Sequence, residues 1–191
     1  MSAPPQLPEL VTRAFDASRR AGYVSFTRNE TGRLLATLAA TRSGTIAEFG
    51  TGAGIGTAWL RSGLSDNDAT ILTAEREPAL AKAAAELFAD DDRVDVLEAD
   101  WTILADRGPF DLLLLDADSI EEVGIDDIAG LVRTGGVVVI DDLMPCASWP
   151  PLVHGRVDPV RERWLTDERF ASVEVMPAAD SSVLLATRLG G

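Results

Sequence analysis

The stretch from Ala47 to Leu60, AEFGTGAGIGTAWL, limits what this chain can fold into more than any other, because a buried strand end, a glycine loop and a helix start follow one another without a gap. Glycines alternate at Gly50, Gly52, Gly54 and Gly56, and a residue without a Cβ lets a ligand lie directly against the main chain. Ile46, Ala47 and Phe49 read as the strand end, and Ile55, Ala58 and Trp59 recur at helical spacing. Strand, glycine turn and helix together form the cofactor-binding corner of a doubly wound sheet, and the bland alternative is an ordinary tight turn.

The spacing separates the candidate cofactors. A dinucleotide fingerprint needs glycines at i, i+2 and i+5, and starting from Gly50, Gly52 or Gly54 the i+5 position is Ile55, Thr57 or Trp59. A nicotinamide-dependent oxidoreductase is therefore disfavoured in every register. The run Glu48-x-Gly50-x-Gly52-x-Gly54 resembles the first motif of the class I S-adenosylmethionine-dependent methyltransferases. That cofactor has no phosphate, and an acidic Glu48 beneath the loop suits its ammonium and sulfonium charges.

The remainder of the chain extends this corner into a sheet. Leu7 to Arg20 and Thr31 to Ala40 carry apolar residues at helical spacing, so two helices precede the sheet. Residues 22–27 between them read either as a plain connection or as a lid over the cofactor. Strands are expected at Thr70 to Ala74, Val94 to Glu98, Phe110 to Leu115, Val137 to Ile140, Ser172 to Met176 and Ser182 to Thr187. Helices are expected at Pro78 to Phe88, Ile120 to Val132 and Asp158 to Leu165. The runs at Leu112 to Leu115 and Val137 to Ile140 lack alternation, as central parallel strands covered on both faces do. The fold class is α/β, with a doubly wound, mostly parallel seven-stranded sheet. One domain spans 1–191, and its first 42 residues supply two N-terminal helices that pack on the sheet.

In such a sheet the ligand crosses the carboxyl ends of the strands, and here those ends are acidic. Glu75, followed by Arg76, stands where a carboxylate would accept from both ribose hydroxyls. Asp100 could accept from the adenine amino group or simply cap a helix, and Trp101 could stack on the base. Asp116 and Asp118 follow the fourth strand, and Asp141 and Asp142 end the fifth. Crowded carboxylates are costly without a cation or retained protons, and oxygen-only donors favour Mg2+ or another hard divalent ion. FDLLLLDAD followed by GGVVVIDD is similar to the O-methyltransferases of the catechol and caffeoyl-CoA type.

That resemblance implies a cofactor site at Glu48, Gly50, Thr51, Gly52, Gly54, Ile55, Glu75, Arg76, Asp100, Trp101 and Asp116. By position it also implies a metal site at Asp116, Asp141 and Asp142, with Asp142 standing where the family has Asn. The family places a lysine general base three residues after the first metal Asp, and Ser119 stands there instead. The proton then falls to the metal alone, to Asp118 or to His154, the only histidine, or the acceptor is of another kind. His154 also has the plain reading of a surface-loop residue. Arg156, Arg161 and Arg163 are read as partners of acidic neighbours on a solvated helix.

Seventeen Lys and Arg against thirty-one Asp and Glu give a net charge of −14, which repels phosphate backbones and anionic membranes. The expected partner is a small-molecule acceptor. The single cysteine, Cys146, excludes an internal disulfide, and with no secretory signal apparent the expected location is cytoplasmic. The activity implied by the resemblance is O-methylation of a small hydroxylated aromatic, with a homodimeric assembly. A protein that keeps the cofactor pocket without catalysis is the reading of another class.

Overall fold

The computed structural model describes residues 6–24, 27–64, 68–116, 120 and 123–190. Two helices come first, α1 (Glu9–Ala21) and α2 (Asn29–Ala39). α1 ends as its sequence requires: Gly22 takes the left-handed conformation at φ 68°, and its N–H bonds back into the last turn. Then β1 (Thr45–Phe49), α3 (Ile55–Gly63), β2 (Thr70–Glu75), α4 (Pro78–Leu87) and β3 (Val94–Glu98) follow in alternation. A 3-10 segment, Trp101–Arg107, leads into β4 (Phe110–Asp116), and α5 (Ile125–Leu131) leads into β5 (Val132–Leu143). A short hairpin, β6 (Leu152–Val153) and β7 (Arg156–Val157), precedes α6 (Pro159–Thr166), β8 (Phe170–Ala178) and β9 (Ser181–Arg188).

The main sheet has seven strands in the order β3-β2-β1-β4-β5-β9-β8, with β3 to β5 parallel and β9 antiparallel to both its neighbours. The strand order reverses between β1 and β4, and a doubly wound sheet opens a crevice at that point. This is the expected sheet.

Two apolar cores cover its faces. On one, Ile46, Ile71, Leu112, Leu114, Val137 and Val139 meet α1, α2 and α3; on the other, Phe49, Leu113, Leu115, Val138 and Ile140 meet α5 and α6. β4 is apolar along its length because alternate residues enter opposite cores. The N-terminal helices are bound closely to this body. A Cβ at Gly32 of α2 would strike the Trp59 ring of α3, and one at Gly63 of α3 would strike the Ala36 carbonyl of α2. Those helices therefore approach nearer than any larger side chain would allow.

One boundary needs correction. The helix anticipated up to Val132 stops at Leu131, since Val132 already pairs with Phe110 as the first residue of β5. Gly135 and Gly136 form a kink within that strand: Gly135 has φ 77°, and a Cβ at Gly136 would lie 2.8 Å from the Phe110 carbonyl oxygen. The β6–β7 hairpin was not anticipated either; two-residue strands are too short to show alternation. Among the described residues, no helix is long and apolar enough to cross a membrane.

Candidate active site

The four glycines play unlike parts. Gly50, Gly52 and Gly54 all have positive φ, at 83°, 54° and 89°, so the loop is a chain of left-handed residues. At Gly50 a Cβ would meet nothing within 4 Å, which makes this glycine the open floor of a crevice. Gly56 is different: a Cβ there would fall on Oε1 of Glu48, so this glycine makes room for a buried carboxylate beneath the helix.

Glu48 is held from both sides. Oε2 accepts from the hydroxyl of Thr57, in the first turn of α3, and from that of Thr73 at 3.0 Å. Thr73 is its direct register neighbour on β2. Burial pushes the Glu48 carboxyl up to about 7; the Thr57 and Thr73 hydroxyls lower it, and the charges of Glu75 and Asp116 raise it further. Glu48 is thus a buried carboxyl that titrates near neutral pH.

Glu75 ends β2 with both oxygens engaged. Oε2 accepts from the Gly52 N–H and Oε1 from the Glu77 N–H, each at 2.8 Å. It fastens the glycine loop, and a carboxylate with about four lone-pair positions retains capacity for two further donors. Asp100 accepts from the Thr102 N–H at 3.0 Å, which confirms its capping role and holds its pKa below the ordinary carboxylate value. Trp101 stacks one face on Phe49, with ring centroids 5.0 Å apart.

These residues surround two cavities. One, of about 230 Å³, is lined by Gly50, Gly52, Glu75, Arg76, Asp100 and Trp101, among others. The other, of about 80 Å³, is lined by Thr27, Glu48, Gly50, Thr51, Ile55, Gly56, Asp116, Asp141 and Asp142, among others. Tyr23, Gly50 and Asp116 line both. A larger cavity of about 640 Å³ lies between α1 and α4, but it opens on helix surfaces away from the strand ends and gathers none of this chemistry.

The far wall is built by β4 and β5. Asp116 and Asp141 are register neighbours, and Asp142 has φ 62° where the pairing of β5 with β9 shifts. Such irregularities re-aim side chains beside sites, and Asp and Asn tolerate this backbone better than most residues. Burial pushes Asp141 up to about 6; the Asp142 N–H and the hydroxyls of Thr27 and Thr31 oppose the shift, and the Asp142 charge adds to it. Asp116 and Asp142 are exposed. Although the three carboxylates line one cavity, no group of three His, Cys, Asp or Glu among the described residues is arranged to hold a metal ion.

The expected bases divide. Asp118 and Ser119 lie outside the described residues. His154 does not line either cavity: it is an exposed residue with φ 50° that forms, with Gly155 at φ 75°, the two-residue turn of the β6–β7 hairpin. Paired positive φ values at a two-residue turn are a hairpin requirement, so its position is explained without catalysis. Arg161 also differs from expectation. It is buried rather than solvated, bound to Asp158, to Glu174 at 3.2 Å and to the Met144 carbonyl at 2.9 Å.

Thr57 and Thr73 are not anticipated, and Tyr23 and Thr27 enter only as members of the segment 22–27 read as a connection or a lid. The threonines carried no pattern, since a strand or helix threonine is ordinary. Tyr23 had a signal in hindsight of its chemistry: a lone tyrosine directly after a helix-capping glycine. Burial raises its pKa first, followed by the charges of Glu75, Asp116, Glu48 and Asp142, so the phenol stays protonated at neutral pH.

A family described as a methyltransferase domain matches residues 47–143, the span from β1 to the end of β5. A Mycobacterium ulcerans protein named as an O-methyltransferase is 33% identical over 171 residues, covering 82% of this chain and 75% of its own length. The chain belongs to the O-methyltransferases.

The fold of this methyltransferase recurs in two related solved structures. An O-methyltransferase from Streptomyces achromogenes involved in tomaymycin synthesis, in complex with S-adenosylmethionine, superposes with a TM-score of 0.75 at 24% identity, over 97% of this chain and 92% of its own. An O-methyltransferase from Bacillus cereus, in complex with S-adenosylhomocysteine, gives 0.76 at 18% identity, over 96% and 93%.

Proposed function

We propose that this methyltransferase binds S-adenosylmethionine across the two cavities and transfers its methyl group to a hydroxyl of a small aromatic acceptor. The observation that carries the reading is that both cavities open on the strand ends at the β1/β4 reversal and meet at Gly50 and Asp116. The residues fit the cofactor: Gly50 leaves an open cradle, and the half-neutral Glu48 is a buried acid waiting for a positive charge.

In this reading Asp100, Trp101 and Arg76 surround the adenine and ribose, and Glu75 accepts from the ribose hydroxyls with its spare lone pairs. Gly50, Thr51 and Ile55 follow the methionine portion, with Glu48 and Asp116 facing its charges, while Gly52 lines the nucleoside cavity and Gly54 packs against Phe88 and Leu87. Transfer is an in-line displacement. The acceptor oxygen attacks the methyl carbon, the carbon–sulfur bond breaks with its electron pair passing to sulfur, and the acceptor proton leaves. Positioning supplies much of the rate, and Asp116 is the carboxylate of the shared wall available to take the proton.

The acceptor side supports an apolar aromatic. The segment leaving β5 exposes Met144, Trp149, Leu152 and Val157, an uncommon density of large apolar side chains on a surface loop.

A second reading adds a divalent cation at Asp116, Asp141 and Asp142. Its support is their common cavity and their oxygen-only chemistry. As arranged they do not form a three-ligand site, and no step above depends on the ion. We further propose a homodimer acting on a small molecule, with light scattering as its check.

The test is calorimetric titration with S-adenosylhomocysteine, using NADH as control, followed by turnover with a catechol panel in Mg2+ or EDTA. Micromolar binding without NADH heat, and methylated product, support the enzyme. Binding without product across the panel supports a non-catalytic cofactor-binding protein, and no binding overturns both. Loss of turnover in EDTA, restored by Mg2+, supports the second reading, and equal turnover in both removes it.

A further inference from the structure

Tyr23 occupies a place that the reaction outlined above does not yet use. Its backbone is fixed by α1: the Tyr23 N–H donates to the Ser18 carbonyl at 3.0 Å, and the buried Ser18 hydroxyl donates to the Tyr23 carbonyl at 2.6 Å. With the helix capped at Gly22, these bonds aim the ring back over the glycine loop. A Cβ at Gly52 would lie 2.8 Å from Cε1 and 3.1 Å from the phenol oxygen, so the ring rests on the loop where only glycine leaves space. It lines cavities with Glu48, Glu75, Asp116 and Asp142, whose charges act on its phenol.

Tyr23, Gly50 and Asp116 are the residues common to both cavities. A ligand with its nucleoside in one cavity and its amino-acid portion in the other must pass between them, and in S-adenosylmethionine the atom at that junction is the sulfonium. We infer that Tyr23 is a cofactor-contacting residue whose ring covers the sulfonium, opposite the Gly50 floor and beside Asp116, and that it distinguishes the charged substrate cofactor from its neutral product. The inference rests on the cofactor placement given under the proposed function.

The physical reason is the ring quadrupole: an aromatic face attracts a cation but has no comparable attraction for a thioether. Methyl transfer removes the charge at sulfur, so the same ring that holds the substrate cofactor relaxes its hold once the carbon–sulfur bond is broken. Product release follows from the chemistry without a separate trigger.

The experiment measures dissociation constants for S-adenosylmethionine and S-adenosylhomocysteine by calorimetry, in the absence of acceptor, for the wild type, Tyr23→Phe and Tyr23→Leu. Circular dichroism first establishes that each variant is folded. Tyr23→Phe keeps the ring and is expected to bind both ligands within about twofold of wild type. Tyr23→Leu is expected to weaken S-adenosylmethionine about tenfold and the homocysteine by no more than about threefold, the scale of one cation–π contact. Unchanged binding of both ligands by Tyr23→Leu, or equal weakening of both, overturns the inference while leaving the cofactor placement intact. A wild type that binds neither ligand overturns the placement itself.

Discussion

The two walls of the crevice are built on different terms. On the β1–β3 side, the acids are fastened by donors from the protein: Glu75 by the Gly52 and Glu77 N–H groups, Asp100 by the Thr102 N–H, Glu48 by two threonine hydroxyls. On the β4–β5 side, Asp141 is also held, by the Asp142 N–H and the Thr27 and Thr31 hydroxyls, and burial pushes its pKa up to about 6, while Asp116 and Asp142 are exposed. A wall of the first kind, with Glu48 and Glu75 buried and bonded, suits a ligand that is the same in every turnover. The second wall turns two carboxylates to solvent, and it suits a more variable partner.

The contrast is most exposed at Glu75. Glu75→Ala removes both the ribose acceptor and the fastening of the loop, and charge-assisted hydrogen bonds of about 1.5–3 kcal/mol imply a loss of roughly 10- to 100-fold in S-adenosylhomocysteine affinity by calorimetry. Glu75→Gln should recover part of it. Should Glu75→Ala bind as the wild type does, the β1–β3 wall does not depend on the Glu75 bonds to the glycine loop.

Gly56→Ala attacks the same wall from beneath. The new Cβ would fall on Glu48 Oε1, and overpacking of this kind costs roughly 1–3 kcal/mol, measurable as a lower midpoint in urea unfolding. Gly130→Ala, in α5, where a Cβ meets nothing within 4 Å, is the control and should not destabilise.

Glu48 also predicts two pH effects of opposite sign. Its folded pKa of about 7 lies above its ordinary value of 4.5, so the empty native state retains a proton that the unfolded chain has lost. Its contribution to stability is present below about pH 4.5 and is lost as pH rises through 7. A cationic cofactor needs the ionised form, so affinity for S-adenosylmethionine should rise about tenfold from pH 6 to pH 8. A flat affinity profile would mean that Glu48 does not face the charge.

The smallest expected effect lies across the crevice. Asp142→Asn keeps a side chain suited to left-handed backbone and should change S-adenosylhomocysteine affinity by less than about twofold, while turnover falls more. A larger affinity loss would show that the two walls are not independent.

The β1–β3 wall was largely legible in the sequence and the β4–β5 wall less so, for a physical reason. Glycine spacing, strand ends and apolar runs are local patterns, and Glu48, Glu75, Asp100 and Trp101 lie on them. Asp142 could be found by position, but its left-handed conformation depends on the pairing of β5 with β9, which no short window contains. The surface-loop reading of His154 agrees with its exposed place, although the turn that it occupies is hidden in strands of two residues. Tyr23 could be read only as one of a segment that connects or covers, because its position depends on a helix cap that folds it back toward a loop far along the chain.

The mutual fit of α2 and α3 reaches beyond the two helices. Gly32 receives the Trp59 ring and Gly63 receives the Ala36 carbonyl, so neither surface has another way to be covered. The recognised methyltransferase region begins at Ala47, yet a fragment cut there would uncover the tryptophan whose helix opens from the glycine loop. A piece that keeps this tryptophan covered therefore starts before α2, and transplanting the domain into another protein requires carrying that helix with it.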